Sequence, residues 1–236
     1  MKKVFVLGIT AVMIFGVFVL SSCFTPAPKP AANLGTALYD AISSWSTDVS
    51  IKATGVVIGY PGRKIGSNYV GGFSGKLYIE DEKGGAYVYN YDLNESYDST
   101  PSSYKFNIGD VVTISGTLTK FFDDFEIVTA TSNVVKTGKT FDVVPDDLTT
   151  TDASFTAHLL RLVKVSGTAT AVSAKSFDLV TTDLGTITVL DKTYGKHLDF
   201  DTYLKNGDEV NVTGIACIYY SKNTVFPRTV NDVVKK

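Results

Sequence analysis

Alternate tyrosines occupy the segment GGAYVYNYD, residues 84–92, and their spacing is the most suggestive chemical feature of the chain. Tyr87, Tyr89 and Tyr91 stand at every second position, so in a β-strand all three would lie on one face. A tyrosine offers a flat apolar ring for stacking and a hydroxyl for hydrogen bonding. Such a row predicts a surface that stacks against the ring of a sugar or base, or one that packs against another part of the protein.

A glycine-rich segment upstream combines cations with aromatic rings. Residues 59–75 read GYPGRKIGSNYVGGFSG, which is long for a connection between two strands. Loops of this length are commonly functional or disordered. We expect this loop to border the same face as the tyrosines and to add basic and aromatic contacts for a ligand.

Patterns typical of catalysis or metal binding are absent from the sequence. The two histidines, His158 and His197, have no partners at a metal-site spacing, and no phosphate loop or nucleophile elbow is present. The acidic runs 80–82, 123–124 and 146–147 lack the alternating spacing of a calcium loop. We therefore expect no enzymatic activity, no cofactor and no metal. Arg228 is expected to fix strand register or to form an interdomain salt bridge.

The charge balance argues against avid binding to nucleic acid. The chain has 22 lysines and arginines against 24 acidic residues, a formal net charge of −2, and the basic residues are scattered. Proteins that bind the phosphate backbone normally carry a basic surface. The acidic turn FFDD (121–124), predicted to border the tyrosine face, would repel phosphates. A neutral glycan or a protein is therefore favoured, and nucleic acid is an alternative that the charge disfavours.

Most of the chain after residue 46 alternates β-branched or aromatic residues with polar ones, which predicts an all-β fold. A repeat divides it, because IGDVVTISGTLT (108–119) matches NGDEVNVTGIAC (206–217). Each copy predicts five strands and a long connection between strands three and four. The first strand has a central glycine, Gly55 or Gly167, at which it can bend to form a corner of a barrel. These features predict two tandem five-stranded OB-fold barrels, in domains at 34–140 and 141–236. The predicted strands are 49–60, 75–81, 85–91, 109–120 and 124–130, then 158–172, 175–181, 185–191, 207–218 and 223–229.

The same alternation separates the two faces of the first predicted barrel. A small barrel must fill its interior with apolar side chains, and Leu77, Ile79, Ala86 and Val88 meet that need. Tyr78 and the third-strand tyrosines then lie outside, on the strands that OB-folds use to bind oligonucleotides and oligosaccharides. With the flanking loop included, the predicted ligand contacts are Tyr78, Tyr87, Tyr89, Tyr91, Arg63, Lys64, Tyr69 and Phe73.

Structural packing is the alternative explanation of the tyrosine row. Tyrosine is a strong strand former that is common on half-exposed sheet faces. The rings could pack against the second barrel or against a short amphipathic helix predicted at 34–44. The third strand of the second copy, GTITVLD (185–191), lacks the aromatic row. The row is therefore not a requirement of the barrel itself.

The N-terminus has the pattern of an export signal. Two lysines precede an uncharged apolar run from Val4 to Leu20, and small residues follow it. The segment LSSC (20–23) resembles the lipobox of bacterial lipoproteins, which implies cleavage before Cys23, acylation of this cysteine and attachment to a membrane. We expect a signal peptide at 1–22 and a stiff proline- and alanine-rich linker at 23–33.

A wider resemblance covers the two barrels. KLYIEDEKGGAYVYN (76–90) and GDVVTISGTLT (109–119) resemble OB-fold domains of bacterial extracellular nucleases and surface lipoproteins, and FPRTVNDV (226–233) is similar to the end of related Bacteroidetes-type lipoproteins. The resemblance implies the fold and does not carry over the activity of a linked enzyme. We expect a lipid-anchored protein of the cell envelope that binds an extracellular oligosaccharide or polymer. A structural or protein-interaction role and single-stranded nucleic-acid binding are the alternatives.

Overall fold

The computed structural model describes residues 34–59, 62–65, 68–71, 76–90, 106–121, 124–130, 133–149, 154–192 and 198–236. For 62–65 and 68–71, and at residues 76, 90 and 121, the backbone alone is described. The predicted signal peptide and linker, with Cys23, lie outside these ranges. No helix among the described residues is long and apolar enough to cross a membrane.

The described residues form mainly β-strands, as the alternating pattern predicts. A short helix, α1 (Ala37–Ser43), lies within the predicted segment 34–44, and 3₁₀ turns occur at Phe155–His158, Phe200–Thr202 and Val230–Asp232. The strands are β1 (Val49–Gly59), β2 (Gly62–Ile65), β3 (Asn68–Gly71), β4 (Lys76–Glu80), β5 (Gly85–Asn90), β6 (Asp110–Phe121), β7 (Asp124–Thr129), β8 (Val134–Thr140), β9 (Asp146–Asp147), β10 (Leu162–Thr170), β11 (Ser176–Val180), β12 (Thr186–Leu190), β13 (Glu209–Tyr219), β14 (Lys222–Phe226) and β15 (Val233–Lys235).

All the predicted barrel strands are present, and their ends shift by a few residues. The largest shift is at the start of β10, which begins at Leu162 rather than at 158, because Phe155–His158 forms a 3₁₀ turn. The predicted loop 59–75 contains a small hairpin of its own, in which β2 pairs with β3.

Two closed five-stranded barrels lie in tandem along the chain, which confirms the predicted fold. In barrel 1 the strand order is β1-β4-β5-β7-β6, and β6 pairs back with β1 to close the ring. In barrel 2 the order is β10-β11-β12-β14-β13, closed by pairing of β13 with β10. Strands β5 and β7 are parallel, as are β12 and β14, and the other barrel pairs are antiparallel. Both rings thus repeat one OB-fold order.

Glycine allows the long first strand of each barrel to bend and pair with two neighbours. Strand β1 pairs with β6 up to Val56 and with β4 from Val56 onward, next to Gly55. A Cβ on Gly55 would lie 3.1 Å from the carbonyl oxygen of Glu80, and one on Gly167 would lie 2.3 Å from that of Val180. These approaches confirm the prediction that the central glycines mark barrel corners.

Each barrel has its own apolar core. The interior of barrel 1 contains Leu77, Ile79, Ala86 and Val88, as the alternation predicts. Helix α1 adds Leu38, which is fully buried in the same core, so the helix covers one end of barrel 1. The interior of barrel 2 is built mainly from the inward residues of its five strands, with Phe155, Phe200 and Leu204 from the connections.

The chain passes from one barrel to the other after residue 140. Strand β8 pairs with β6 of barrel 1, and the two-residue strand β9 pairs in parallel with β10 of barrel 2. The connection 141–145 therefore joins sheets that belong to different barrels.

Candidate binding surface at the junction of the barrels

A third apolar cluster joins the outer faces of the two barrels. Burying one large apolar side chain contributes about 1.5–3 kcal/mol to stability. The cluster therefore favours one fixed arrangement of the barrels. We call it the junction core. Its buried members come from β1 and β4 on one side and from β10, β13, β14 and the segment before β10 on the other: Val56, Ile58, Tyr78, Leu160, Leu162, Ile215, Cys217 and Phe226.

Tyr78 lies inside this junction core and not on an open face. It points away from the interior of barrel 1, as the alternation predicts, but barrel 2 covers it and its side chain is only 6% exposed. Its ring centroid lies 5.2 Å from that of Tyr87. Burial raises the pKa of the Tyr78 phenol well above its usual value, and the nearby Cys217 and Asp124 raise it further. Tyr78 thus packs the two barrels together and is not accessible to a ligand.

Buried charged groups surround the junction core and are paired across it. Glu80 is 1% exposed, and its Oε2 accepts a hydrogen bond from the backbone N–H of Leu162 at 3.1 Å. Arg161 is 4% exposed; its Nη1 donates to the carbonyl of Asp81 at 3.2 Å and its Nε to Asp146 Oδ2 at 2.7 Å. Because a buried charge is costly unless it is paired, these contacts disfavour other arrangements of the barrels.

Arg228 also bridges the barrels, but through a hydrogen bond rather than the predicted interdomain salt bridge, since its ion pair is with the nearby Asp232. Its Nη1 donates to the carbonyl of Ile58 at 3.2 Å, while its Nη2 pairs with Asp232 Oδ1 at 2.9 Å. The backbones approach closely at Gly85, where a Cβ would lie 2.1 Å from the carbonyl oxygen of Leu160. Only glycine fits at this point of β5.

Tyr87 lies at the edge of the junction core, and Tyr89 follows it on the same face of β5. Tyr87 packs against that core and is partly exposed, and Tyr89 is also partly exposed. Across the parallel pair, Tyr87 stands beside Glu126 and Tyr89 beside Val128. On the next strand, β6, Thr119 stands beside Glu126 and Thr117 stands beside Val128. The outer face of barrel 1 here combines two rings with a carboxylate.

The remaining predicted ligand contacts are only partly described. Tyr91 and Phe73 lie outside the described residues. In the β2–β3 hairpin, Lys64 stands opposite Tyr69, and Arg63 stands opposite Val70. Their backbones therefore belong to one hairpin in the loop between β1 and β4, as the sequence predicts for a single flanking loop.

A second aromatic group, which the sequence reasoning missed, lies on the β13–β14 hairpin of barrel 2. Tyr220 is 83% exposed at the tip of this hairpin. Tyr220 and Ser221 have φ angles of 49° and 61°, in the left-handed region. Two-residue hairpins of this type prefer Asn-Gly, and a left-handed conformation of another residue costs about 1–3 kcal/mol. The doubled tyrosine before a two-residue turn, in IYYSKN (218–223), was the available signal.

Further aromatic and cationic groups surround this tip. The ring centroid of Tyr219 lies 4.5 Å from that of Tyr220 and 5.9 Å from that of Phe226. The ammonium of Lys192 lies 3.4 Å from the centroid of the Tyr219 ring, a cation–π contact. Burial lowers the pKa of Lys192. The hairpin therefore presents an exposed ring beside a partly desolvated cation.

The titratable groups of the described chain do not form an evident catalytic or metal centre. No group of three or more potential metal ligands occurs among the described residues. His158 Nδ1 lies 3.0 Å from Asp146 Oδ2, which Arg161 also contacts. Cys217 is buried, and burial raises the pKa of its thiol well above the usual value. A protonated buried thiol is a poor nucleophile.

No protein-family model and no curated protein matches this chain. Several solved structures are similar over most of its length. One is described as the molecular basis for abrogation of activation of pro-inflammatory cytokines. It has 15% identity and a TM-score of 0.32, and the match covers 80% of this chain and 93% of that structure's chain. A murine DNA-binding protein bound to double-stranded DNA has 12% identity and a TM-score of 0.32, with coverages of 78% and 97%. A HINa domain in complex with 20-base-pair double-stranded DNA has 13% identity and a TM-score of 0.30, with coverages of 80% and 97%. Likenesses this low carry no argument about function.

Proposed function

We propose that this protein is a lipid-anchored, non-catalytic binding protein of the cell envelope. Its ligand is an extracellular oligosaccharide that binds on the outer face of barrel 1, next to the junction. The observation that carries the proposal is the partly exposed pair Tyr87 and Tyr89 on β5, the strand on which OB-folds bind linear ligands. Membrane attachment rests on the lipobox-like segment that ends at Cys23.

The neighbours of the two rings favour a sugar. Tyr87 is followed across the sheet by Glu126 and Thr119, and Tyr89 by Val128 and Thr117. These four neighbours lie on the outer face, because the residues between them, Leu118 and Ile127, belong to the barrel core. Aromatic rings stack on the apolar face of a sugar, and carboxylate and hydroxyl oxygens accept hydrogen bonds from its hydroxyl groups.

The same neighbours disfavour nucleic acid. A phosphate backbone beside Tyr87 would approach the carboxylate of Glu126, and the whole chain has a formal net charge of −2. Oligonucleotides are a necessary comparison in any binding experiment, because OB-folds also bind them. Binding of DNA would weaken steeply as the salt concentration rises.

A purely structural role of the tyrosines has its strongest support at Tyr78, and Tyr87 packs against the junction core only in part. Tyr78 is buried between the barrels, so its contribution is packing. Tyr89 is not a member of the junction core. The two functions therefore separate by residue: Tyr78 holds the barrels together, and Tyr89 contacts the ligand.

The test is a glycan array probed with the full chain in detergent, followed by calorimetry on each glycan that binds. We expect Tyr89→Ala to weaken binding by about tenfold, because a stacked aromatic ring is worth roughly 1–3 kcal/mol. The control is Tyr39→Ala on α1, which removes a 43% exposed tyrosine outside the proposed site. The proposal fails if no glycan binds, or if both variants bind as the parent does.

A further inference from the structure

The hairpin tip of barrel 2 has features that packing alone does not explain. Tyr220 is 83% exposed, so its ring buries little surface. It also occupies a left-handed position together with Ser221, where Asn-Gly would be the favourable choice. A large exposed ring in an unfavourable backbone conformation indicates selection for contact with something outside the chain.

The hairpin is connected to the proposed sugar surface through the junction core. Tyr219 contacts the Tyr220 ring at 4.5 Å between centroids and packs against the junction core. On the other side of that core, Tyr87 of barrel 1 packs against the same cluster. Tyr89 lies two residues along β5, on the same face as Tyr87. Tyr87 and Tyr219 therefore border one apolar cluster from the two barrels, and Tyr89 and Tyr220 are their respective outer neighbours. We call these four tyrosines the aromatic band.

We propose that Tyr220 is a second contact for the ligand of barrel 1, so that the ligand is a linear oligosaccharide long enough to reach both barrels. This inference rests on the proposed function, because it extends the sugar site on Tyr87 and Tyr89. The buried contacts of Glu80 and Arg161 join the two barrels, so they hold the two ends of the band at a fixed distance from each other. A rigid site of this kind selects for chain length, since a short oligosaccharide reaches only one end.

The charges along the band favour an uncharged chain. Glu126 stands beside Tyr87 at the barrel 1 end, whereas Lys192 lies over Tyr219 at the barrel 2 end. A polymer with a negative charge on every unit would be attracted at one end and repelled at the other. A neutral oligosaccharide has no such conflict.

The experiment uses the full chain in detergent and a length series of cello- and malto-oligosaccharides, from disaccharide to octasaccharide, with oligo-dT as a comparison. The informative variant replaces the turn, Tyr220→Asn together with Ser221→Gly. It removes the ring and supplies the residues that the turn prefers, so stability should rise or stay unchanged. We expect affinity for the long oligosaccharides to fall about tenfold and affinity for the short ones to remain. Tyr220→Phe keeps the ring and should bind as the parent does.

The outcomes separate the two proposals. If the parent binds, Tyr89→Ala weakens binding and the turn variant binds every length as the parent does, the second contact is wrong and the proposed function stands. If the affinity of the parent does not depend on length, the spanning ligand is wrong. If no oligosaccharide of the series or of the array binds, or only oligo-dT binds in a salt-dependent manner, the proposed function and this inference both fail.

Discussion

Replacing Gly85 by alanine tests the packing of the two barrels against each other. The new Cβ would lie 2.1 Å from the carbonyl oxygen of Leu160, whereas non-bonded heavy atoms in favourable contact are about 3.5 Å apart. The two backbones would have to separate by more than about 1 Å. Because neither atom belongs to a flexible side chain, strand β5 or the junction itself must move.

The expected loss of stability follows from this movement. Forcing extra volume into a packed region costs about 1–3 kcal/mol. If the junction opens instead, burial of side chains such as Tyr78 and Leu162 is lost, at about 1.5–3 kcal/mol for each. We therefore expect Gly85→Ala to lower the free energy of unfolding by at least about 1–3 kcal/mol in a denaturant titration.

Cys217 reports directly on the junction in the same variant. Its side chain is fully buried in the junction core, and the sequence has only one other cysteine, Cys23. In a Cys23→Ala background, a thiol reagent should label native Cys217 slowly in the parent and faster after Gly85→Ala. As a control, Gly185→Ala places a Cβ with no atom within 4 Å at a φ of 70°, so it should cost stability without exposing Cys217. If Gly85→Ala has the same free energy of unfolding as the parent and its Cys217 is labelled at the same rate, the close packing of Gly85 against Leu160 is wrong.

Two other predictions concern pH and the membrane. Burial raises the pKa of Cys217 above its ordinary 9.0 and that of Tyr78 above its ordinary 10.0. The unfolded groups lose their protons first as pH rises, so we expect the contribution of these two groups to stability to be lost as pH rises above about 9. The decline should be weaker in Tyr78→Phe, and an identical decline in that variant would count against burial of Tyr78. If Cys23 is acylated as proposed, cells supplied with a labelled fatty acid should incorporate the label into the parent and not into Cys23→Ala. Equal labelling of the two proteins, or no labelling of the parent, would exclude acylation of Cys23.

The strands and their faces could be predicted because they depend on neighbouring residues. Alternation in KLYIE and GAYVYN is sufficient to place Leu77 and Val88 inside and Tyr78 outside barrel 1, and the structure confirms this. Gly55 and Gly167 could be predicted as corners because each interrupts a long strand. The 3₁₀ turn before β10 was not predicted, since its apolar residues in TAHLLRL continue the strand pattern.

The candidate site was less predictable, because it depends on which surfaces the fold covers. Tyr78 and Tyr87 belong to the same alternating pattern, yet barrel 2 buries the first and leaves the second at an edge. The doubled tyrosine at 219–220 follows an apolar strand and has no distinctive spacing. Its exposure results from the turn register, in which Tyr219 pairs with Lys222 and Tyr220 occupies the tip.

Periodicity in the chain was enough to establish two OB-fold barrels and to divide the residues of each strand between inside and outside. It could not establish which outward-facing residues of one barrel are buried against the other barrel. Tyr78 meets Cys217 and Phe226 only because two separately closed sheets dock face to face. Alternation records the side of a strand on which a residue lies, whereas docking depends on the shape and charge of surfaces assembled from distant segments.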